Sequence, residues 1–155
     1  MLNELKFIKL HPDAIIPKYQ TEESSGFDFH VIIDNSTKSI CLNPKSQILI
    51  RTGLSCLIPK GHEIQIRPKS GLALKNLLTI TNSPGTIDSD YVYPNEIKII
   101  IYNLGEQKYI IKNKQRIAQG VFSPVLQAKI VEVDEIKKED TIKNRKGGFG
   151  STGLK

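Results

Sequence analysis

A chain of 155 residues, 39% hydrophobic and 25% charged, can bury one sizeable core and leaves little room for a second domain. No apolar run reaches the length of a membrane span, and nothing near Met1 reads as a charged leader followed by an apolar stretch, so a cytoplasmic protein is expected. The net charge of +6, from 22 Lys and Arg against 16 Asp and Glu, draws anions without choosing among phosphorylated metabolites, nucleic acid and acidic lipid.

From the N-terminus the chain reads as short extended runs divided by turn residues. Leu5, Phe7 and Ile8 come first; Phe27, Phe29 and Val31 then alternate with Asp28 and His30. The runs Ile48 to Ile50 and Leu54 to Ile58 follow, separated by Arg51-Thr-Gly53, and Glu63-Ile-Gln-Ile-Arg67 alternates cleanly. Turn formers fall at Pro12, Pro17, Asn43-Pro44, Gly53, Pro59-Lys-Gly61, Asn82 to Gly85, Pro94-Asn95, Asn113, Gly120 and Pro124. Turns recurring every ~8 to 12 residues between β-branched runs are the mark of an all-β sandwich or barrel. Only Gly71 to Asn76 offers a helical turn. After residue 133 charge crowds the chain and its end is Gly-rich, which divides it into a β domain over 1–133 and a mobile segment over 134–155. Cys41 and Cys56 read as reduced, buried small residues. His11, His30 and His62 stand apart, with no second ligand at metal spacing, and read as surface or half-buried residues.

The stretch Asn82-Ser-Pro-Gly-Thr-Ile-Asp-Ser-Asp-Tyr91 carries the strongest chemical pattern. In an extended segment Asp88 and Asp90 share one face, with Ile87 and Ser89 on the other. Spacing alone leaves two readings open: a hairpin whose acids are solvated or cap a turn, or a site that uses a carboxylate. Near the C-terminus, Gly147-Gly148-Phe149-Gly150-Ser151-Thr152-Gly153 lacks the Gly-Lys-Ser/Thr ending of a phosphate-binding P-loop. A lone Phe among glycines is suited to stacking on a base, and a functionless tail is the plainer alternative.

Taken with Ser25-Gly-Phe-Asp28, Lys69-Ser-Gly-Leu-Ala73 and Gln115-Arg-Ile-Ala-Gln119, these segments form an ordered set that resembles the five motifs of the trimeric dUTP pyrophosphatases, the dUTPases. The likeness runs from about Phe7 to Gly153. It implies a jelly-roll-like β-barrel, a homotrimer with sites shared between subunits, and a C-terminal arm that closes over a neighbour's site. It also implies hydrolysis of dUTP to dUMP and pyrophosphate, which supplies the thymidylate precursor and limits uracil in DNA.

By the same resemblance Asp88 is the general base, and Asp90 is a supporting or turn acid. Asn82 with the backbone of Gly85, Thr86 and Ile87 recognises uracil, while Tyr91 lies against the sugar and excludes a ribose hydroxyl. Tyr91 reads equally well as plain core, and Lys98 is a further candidate for lining that pocket. Lys69, Ser70 and Gly71 serve the triphosphate, with Gln119 contributing phosphate contacts, and Asp28 orders waters or the hydration shell of a metal. Phe149 with Gly150 covers the base, and Arg145, Ser151 and Thr152 hold the outer phosphates. Mg2+ is expected to arrive on the substrate phosphates rather than in a protein cage.

Three departures from the family pattern stand out. Lys69 replaces the usual Arg, Asn113-Lys114 replaces Pro-Gly, and Val92-Tyr-Pro-Asn95 lengthens the turn after Tyr91. Two other functions remain open at this point. One is a deoxycytidine triphosphate deaminase of the same barrel; the other is a basic β-barrel binding single-stranded nucleic acid, against which a supply of only five Phe, five Tyr and no Trp counts.

Overall fold

The computed structural model describes residues 4–137, and these form eleven strands and one short helix. In chain order they are β1 (Lys6–Lys9), β2 (Gly26–His30), β3 (Ser39–Leu42), β4 (Gln47–Arg51), β5 (Leu54–Leu57) and β6 (His62–Pro68). The helix α1 (Ser70–Asn76) follows, then β7 (Leu78–Ile80), β8 (Gly85–Ile87), β9 (Lys98–Asn103), β10 (Tyr109–Lys112) and β11 (Arg116–Pro124). The all-β class is as expected, but the hydrogen-bonded ladders form four separate sheets rather than one closed barrel. Among the described residues no helix is long and apolar enough to cross a membrane.

The sheet that positions the candidate site has the order β2-β11-β6-β8, and every neighbouring pair in it is antiparallel. Alternation along its strands sorts the side chains onto two faces. Phe27, Phe29, Ile64 and Ile66 are buried in the core. Residues between them, Asp28 on β2 and Gln65 and Arg67 on β6, point to the other face. Two edge-to-face ring contacts, Phe7 to Phe27 at 5.9 Å and Phe7 to Phe29 at 6.2 Å, knit β1 to this sheet, and Phe27 meets Phe29 at 5.6 Å within it.

Gly120 sits in the middle of β11, although in sequence it reads as turn punctuation. The reason is steric: a Cβ there would lie 2.6 Å from Phe27 Cε2 and 2.7 Å from Phe29 Cε2, so only a glycine lets the two rings close on the strand. A register shift between Arg116 and Ala118 breaks the alternation, and both Ile117 and Ala118 are buried as a result.

β9 pairs with β4 on one side and β7 on the other, so the stems of the 82–97 excursion are β7 and β9. β8 leaves that pair and joins β6 in the other sheet. The simple hairpin suggested by the sequence is therefore a long arch between two sheets. Cys56 is buried, and burial raises its thiol to about 11, while Cys41 is exposed, contrary to expectation. Residue 41 lies on the four-residue β3, whose single partner is β10, and it falls on the outward side of that ladder.

Candidate functional site

β8 is three residues long and lies at the edge of its sheet. One side of its backbone pairs with Ile64 to Ile66 of β6, and the other side meets no strand among the described residues. Gly85 is buried; a Cβ on it would come within 3.3 Å of Asn82 Nδ2, so the glycine keeps the Asn82 side chain folded against the start of the strand. Thr86 is exposed, and Ile87 packs on the core.

The strand ends at Ile87. Tyr91 N–H donates to the Asp88 carbonyl at 3.1 Å and Val92 N–H to that of Asp90 at 2.9 Å, so 88–92 is a turn. The two-residue alternation expected for Asp88 and Asp90 thus does not rest on strand geometry. Both acids are nonetheless exposed and line the same cleft of about 420 Å³, together with Ser89, Lys60, His62 and Gln127. His62 is stacked on Phe122 with ring centroids 4.7 Å apart.

Tyr91 is not core. It is 39% exposed, and its hydroxyl donates to the Glu96 carbonyl at 2.9 Å. Glu96 is itself held, since its carboxylate accepts from Gly53 N–H at 2.8 Å and from Arg51 Nε at 3.0 Å. Arg51 also pairs with Asp34 at 2.9 Å, which pairs in turn with His11 at 3.0 Å. The lengthened turn 92–95 is thus tied at its far end to β4 and the loop after β2. Lys98, the first residue of β9, is exposed and lies across the ladder from Arg51. It lines neither the acid cleft nor the groove on the sheet's polar face.

That second cavity, a groove of about 520 Å³, is lined by Arg67, Pro68, Ser70, Ala73, Ser83 and Gln119 among others. Strand register assembles it: Asp28, Gln119 and Arg67 stand opposite one another on β2, β11 and β6. Gln119 Nε2 donates to the Pro68 carbonyl at 3.0 Å and so fixes the entry to α1. Gly26 makes room for this, because a Cβ there would meet Gln119 Oε1 at 2.9 Å. Ser70 opens α1 directly after Lys69. Gly71 has open space around its missing side chain and no positive φ, so the folded chain itself does not require a glycine there.

Asp28, opposite Gln119 in the ladder, gathers two cations beside the groove. Its side chain is 8% exposed, and its two oxygens pair separately with Lys69 Nζ and, at 3.3 Å, with Arg116 Nη1. Neighbouring His30 is pushed below its ordinary pKa chiefly by burial, with the Arg116 and Lys69 charges adding to the effect and the Asp28 charge opposing it. Arg67 and Arg116 are the two groups the sequence offered but did not single out. The signal for Arg67 was its place on the same face of β6 as Gln65, directly before the Pro-Lys-Ser turn.

The acid cleft and the groove share no lining residue. The structure therefore gathers Ser70 and Gln119 with Arg67, and Asp88 with Asp90, but does not bring the two sets together in one cavity. Arg145, Phe149, Gly150, Ser151 and Thr152 lie outside the described residues. Among the described residues no group of three or more His, Cys, Asp or Glu side chains stands where it could hold a metal ion.

An all-β chain with a cationic, serine-bearing groove on one sheet and a pair of exposed carboxylates beyond its edge strand is a fold suited to an anionic ligand with a polar head. Residues 12–153 match the dUTPase family. The deoxyuridine 5'-triphosphate nucleotidohydrolase of Nautilia profundicola is 49% identical over 150 residues, covering 97% of this chain and 99% of that protein. Among solved structures, the Staphylococcus bacteriophage 80alpha dUTPase with dUpNHpp superposes with a TM-score of 0.84 at 23% identity, covering 99% of this chain and 100% of that one. The dUTPase from phage phi11 of S. aureus, described with a structural Mg(II) ion, gives 0.75 at 22% identity over 88% of this chain and 100% of that one. This chain belongs to the dUTPase family.

Proposed function

We propose that this protein hydrolyses dUTP to dUMP and pyrophosphate, with Asp88 as the general base and each site completed between subunits of a homotrimer. The observation that supports this reading is that Asp88 lines one cleft while Ser70 and Gln119 line a separate groove with no lining residue in common. A cyclic assembly places one copy's cleft against another copy's groove through heterologous contacts. The curated relatives carry the nucleotidohydrolase name, so neither the deaminase nor the nucleic-acid-binding reading is favoured.

In the proposed reaction the free edge of β8, with Asn82, pairs with the polar edge of uracil. Tyr91, anchored on Glu96, sets its ring against the deoxyribose and leaves no room for a 2′ hydroxyl. Asp88 takes a proton from a water whose oxygen attacks the α-phosphorus. The bond from that phosphorus to the bridging oxygen breaks, and pyrophosphate leaves. Ser70 donates to the bridging oxygen as negative charge grows there, and Lys69 and Gln119 hold the phosphates in line. Both Asp28 oxygens are already engaged by cations, which fits a supporting role rather than direct ligation of a metal. Mg2+ is proposed to bind on the phosphates, where it neutralises charge. The segment 134–155 is proposed as an arm that closes the site, Phe149 with Gly150 over the base and Arg145, Ser151 and Thr152 on the outer phosphates.

The test is pyrophosphate release from dUTP, with dCTP, dTTP and UTP alongside, in Mg2+. Release from dUTP alone is expected, and Asp88→Asn lowers kcat by about 10²- to 10⁴-fold, the range for loss of a general base. Equal turnover of UTP, or a native rate in the Asn variant, contradicts the assignment.

A further inference from the structure

We infer that Arg67 is a further cation that this chain presents to the substrate's phosphates beside Lys69, held in position by Gln65 and, behind it, by Glu63. The inference rests on the dUTP reading and adds to it a residue outside the motif positions. Three cationic side chains belong to β6, β11 and the turn before α1 on this face. Lys69 and Arg116 share the Asp28 carboxylate. Arg67 has no carboxylate within 4.0 Å among the described residues.

What holds Arg67 is a neutral group. Its Nη2 donates to Gln65 Oε1 at 2.6 Å, and Gln65 Nε2 donates to Glu63 Oε1 at 2.6 Å. The three residues lie at alternate positions of β6, hence on one face. The Glu63 contact turns the Gln65 amide so that its oxygen faces Arg67. An amide oxygen orients a guanidinium without cancelling its charge, which an acid at position 65 would do. The guanidinium is exposed, and its Nε and Nη1 meet no partner among the described residues. It stands opposite Gln119 in the ladder and lines the groove that holds Ser70.

The chemistry matches what Lys69 lacks. An ammonium is a point charge, whereas a guanidinium offers two parallel N–H donors to two oxygens of one phosphate. With Lys at 69 tied to Asp28, Arg67 is the planar donor left facing the groove.

The experiment compares native protein with Arg67→Ala, Arg67→Lys and Gln65→Leu. For dUTP hydrolysis, Arg67→Ala is expected to raise KM about tenfold or more while kcat stays within about threefold, the pattern of lost ground-state binding. Arg67→Lys recovers only part of the loss. Gln65→Leu raises KM by about threefold, because the fork is kept and only its aim is lost. Deoxyuridine affinity and Tm stay at native values in all three. A native KM in Arg67→Ala, or a parallel loss of deoxyuridine affinity and Tm, overturns the inference. A second arm titrates inorganic triphosphate calorimetrically into native protein and Arg67→Ala, so that the anion site is read even if native protein leaves dUTP intact. Weaker binding by about tenfold in the variant upholds Arg67, and equal binding overturns it. Failure of native protein to hydrolyse dUTP sinks the dUTP reading by itself.

Discussion

Both oxygens of Asp28 are engaged by cations whose positions in the chain are 41 and 88 residues away. In sequence Asp28 reads as a water-ordering acid or a turn acid; in the fold it anchors Lys69 and Arg116. The same crowding acts on His30, whose Nδ1 is buried without a hydrogen-bond partner among the described residues. Its folded pKa lies below the ordinary 6.5, so the folded state resists protonation more than the unfolded chain does. The stability that the neutral ring secures is fully present above pH 6.5 and is lost as pH falls through the folded pKa. Urea unfolding at a series of pH values is expected to show the midpoint dropping below pH 6.5, and His30→Gln is expected to flatten that part of the curve. An unchanged slope in the variant assigns the acid sensitivity elsewhere.

At the scale of elements, the legible features were those with local periodicity. Phe27 and Phe29 alternate with Asp28, and Ile64 and Ile66 with Gln65, and both patterns survive as the two faces of one sheet. The helical turn read over 71–76 is α1. Among the described residues β3 and β10, four residues each, pair with no other strand, and runs that short carry too little pattern to be read alone. Lys114, which stands where the resemblance sets a Gly, occupies the left-handed region at φ 62, the conformation for which a glycine is the usual choice. Gly120 shows how an element can mislead: its role comes from ring contacts on a neighbouring strand. Gly120→Ala is expected to destabilise the fold by about 1 to 3 kcal/mol, the usual cost of overpacking a filled core, read as a lower denaturant midpoint. A native midpoint there shows that the rings can shift at little cost.

For the whole molecule, the decisive feature is that Asp88 and Ser70 line two cavities that share no residue. If one copy supplies Asp88 and another supplies Ser70, two inactive variants complement each other. Asp88→Asn and Ser70→Ala are each expected to be nearly inactive alone. Co-assembled in equal amounts they should recover roughly a quarter of native activity, because each half of a heterologous site is intact in half of the placements. No recovery in a mixed assembly verified by mass places both residues in a site built by one chain.

Sequence alone determined the strand periodicity, the order of the motifs and with them the family, because each depends on residues close together along the chain. It also marked Asp88 and Asp90 as the acids of interest. Only the tertiary structure decided that β8 joins β6 rather than β9, that Lys69 is bound to Asp28 while Arg67 meets no acid among the described residues, and that Asp88 and Ser70 line different cavities. These facts depend on which strands pair and in which register, and that choice is made by packing the whole core at once rather than by any single segment.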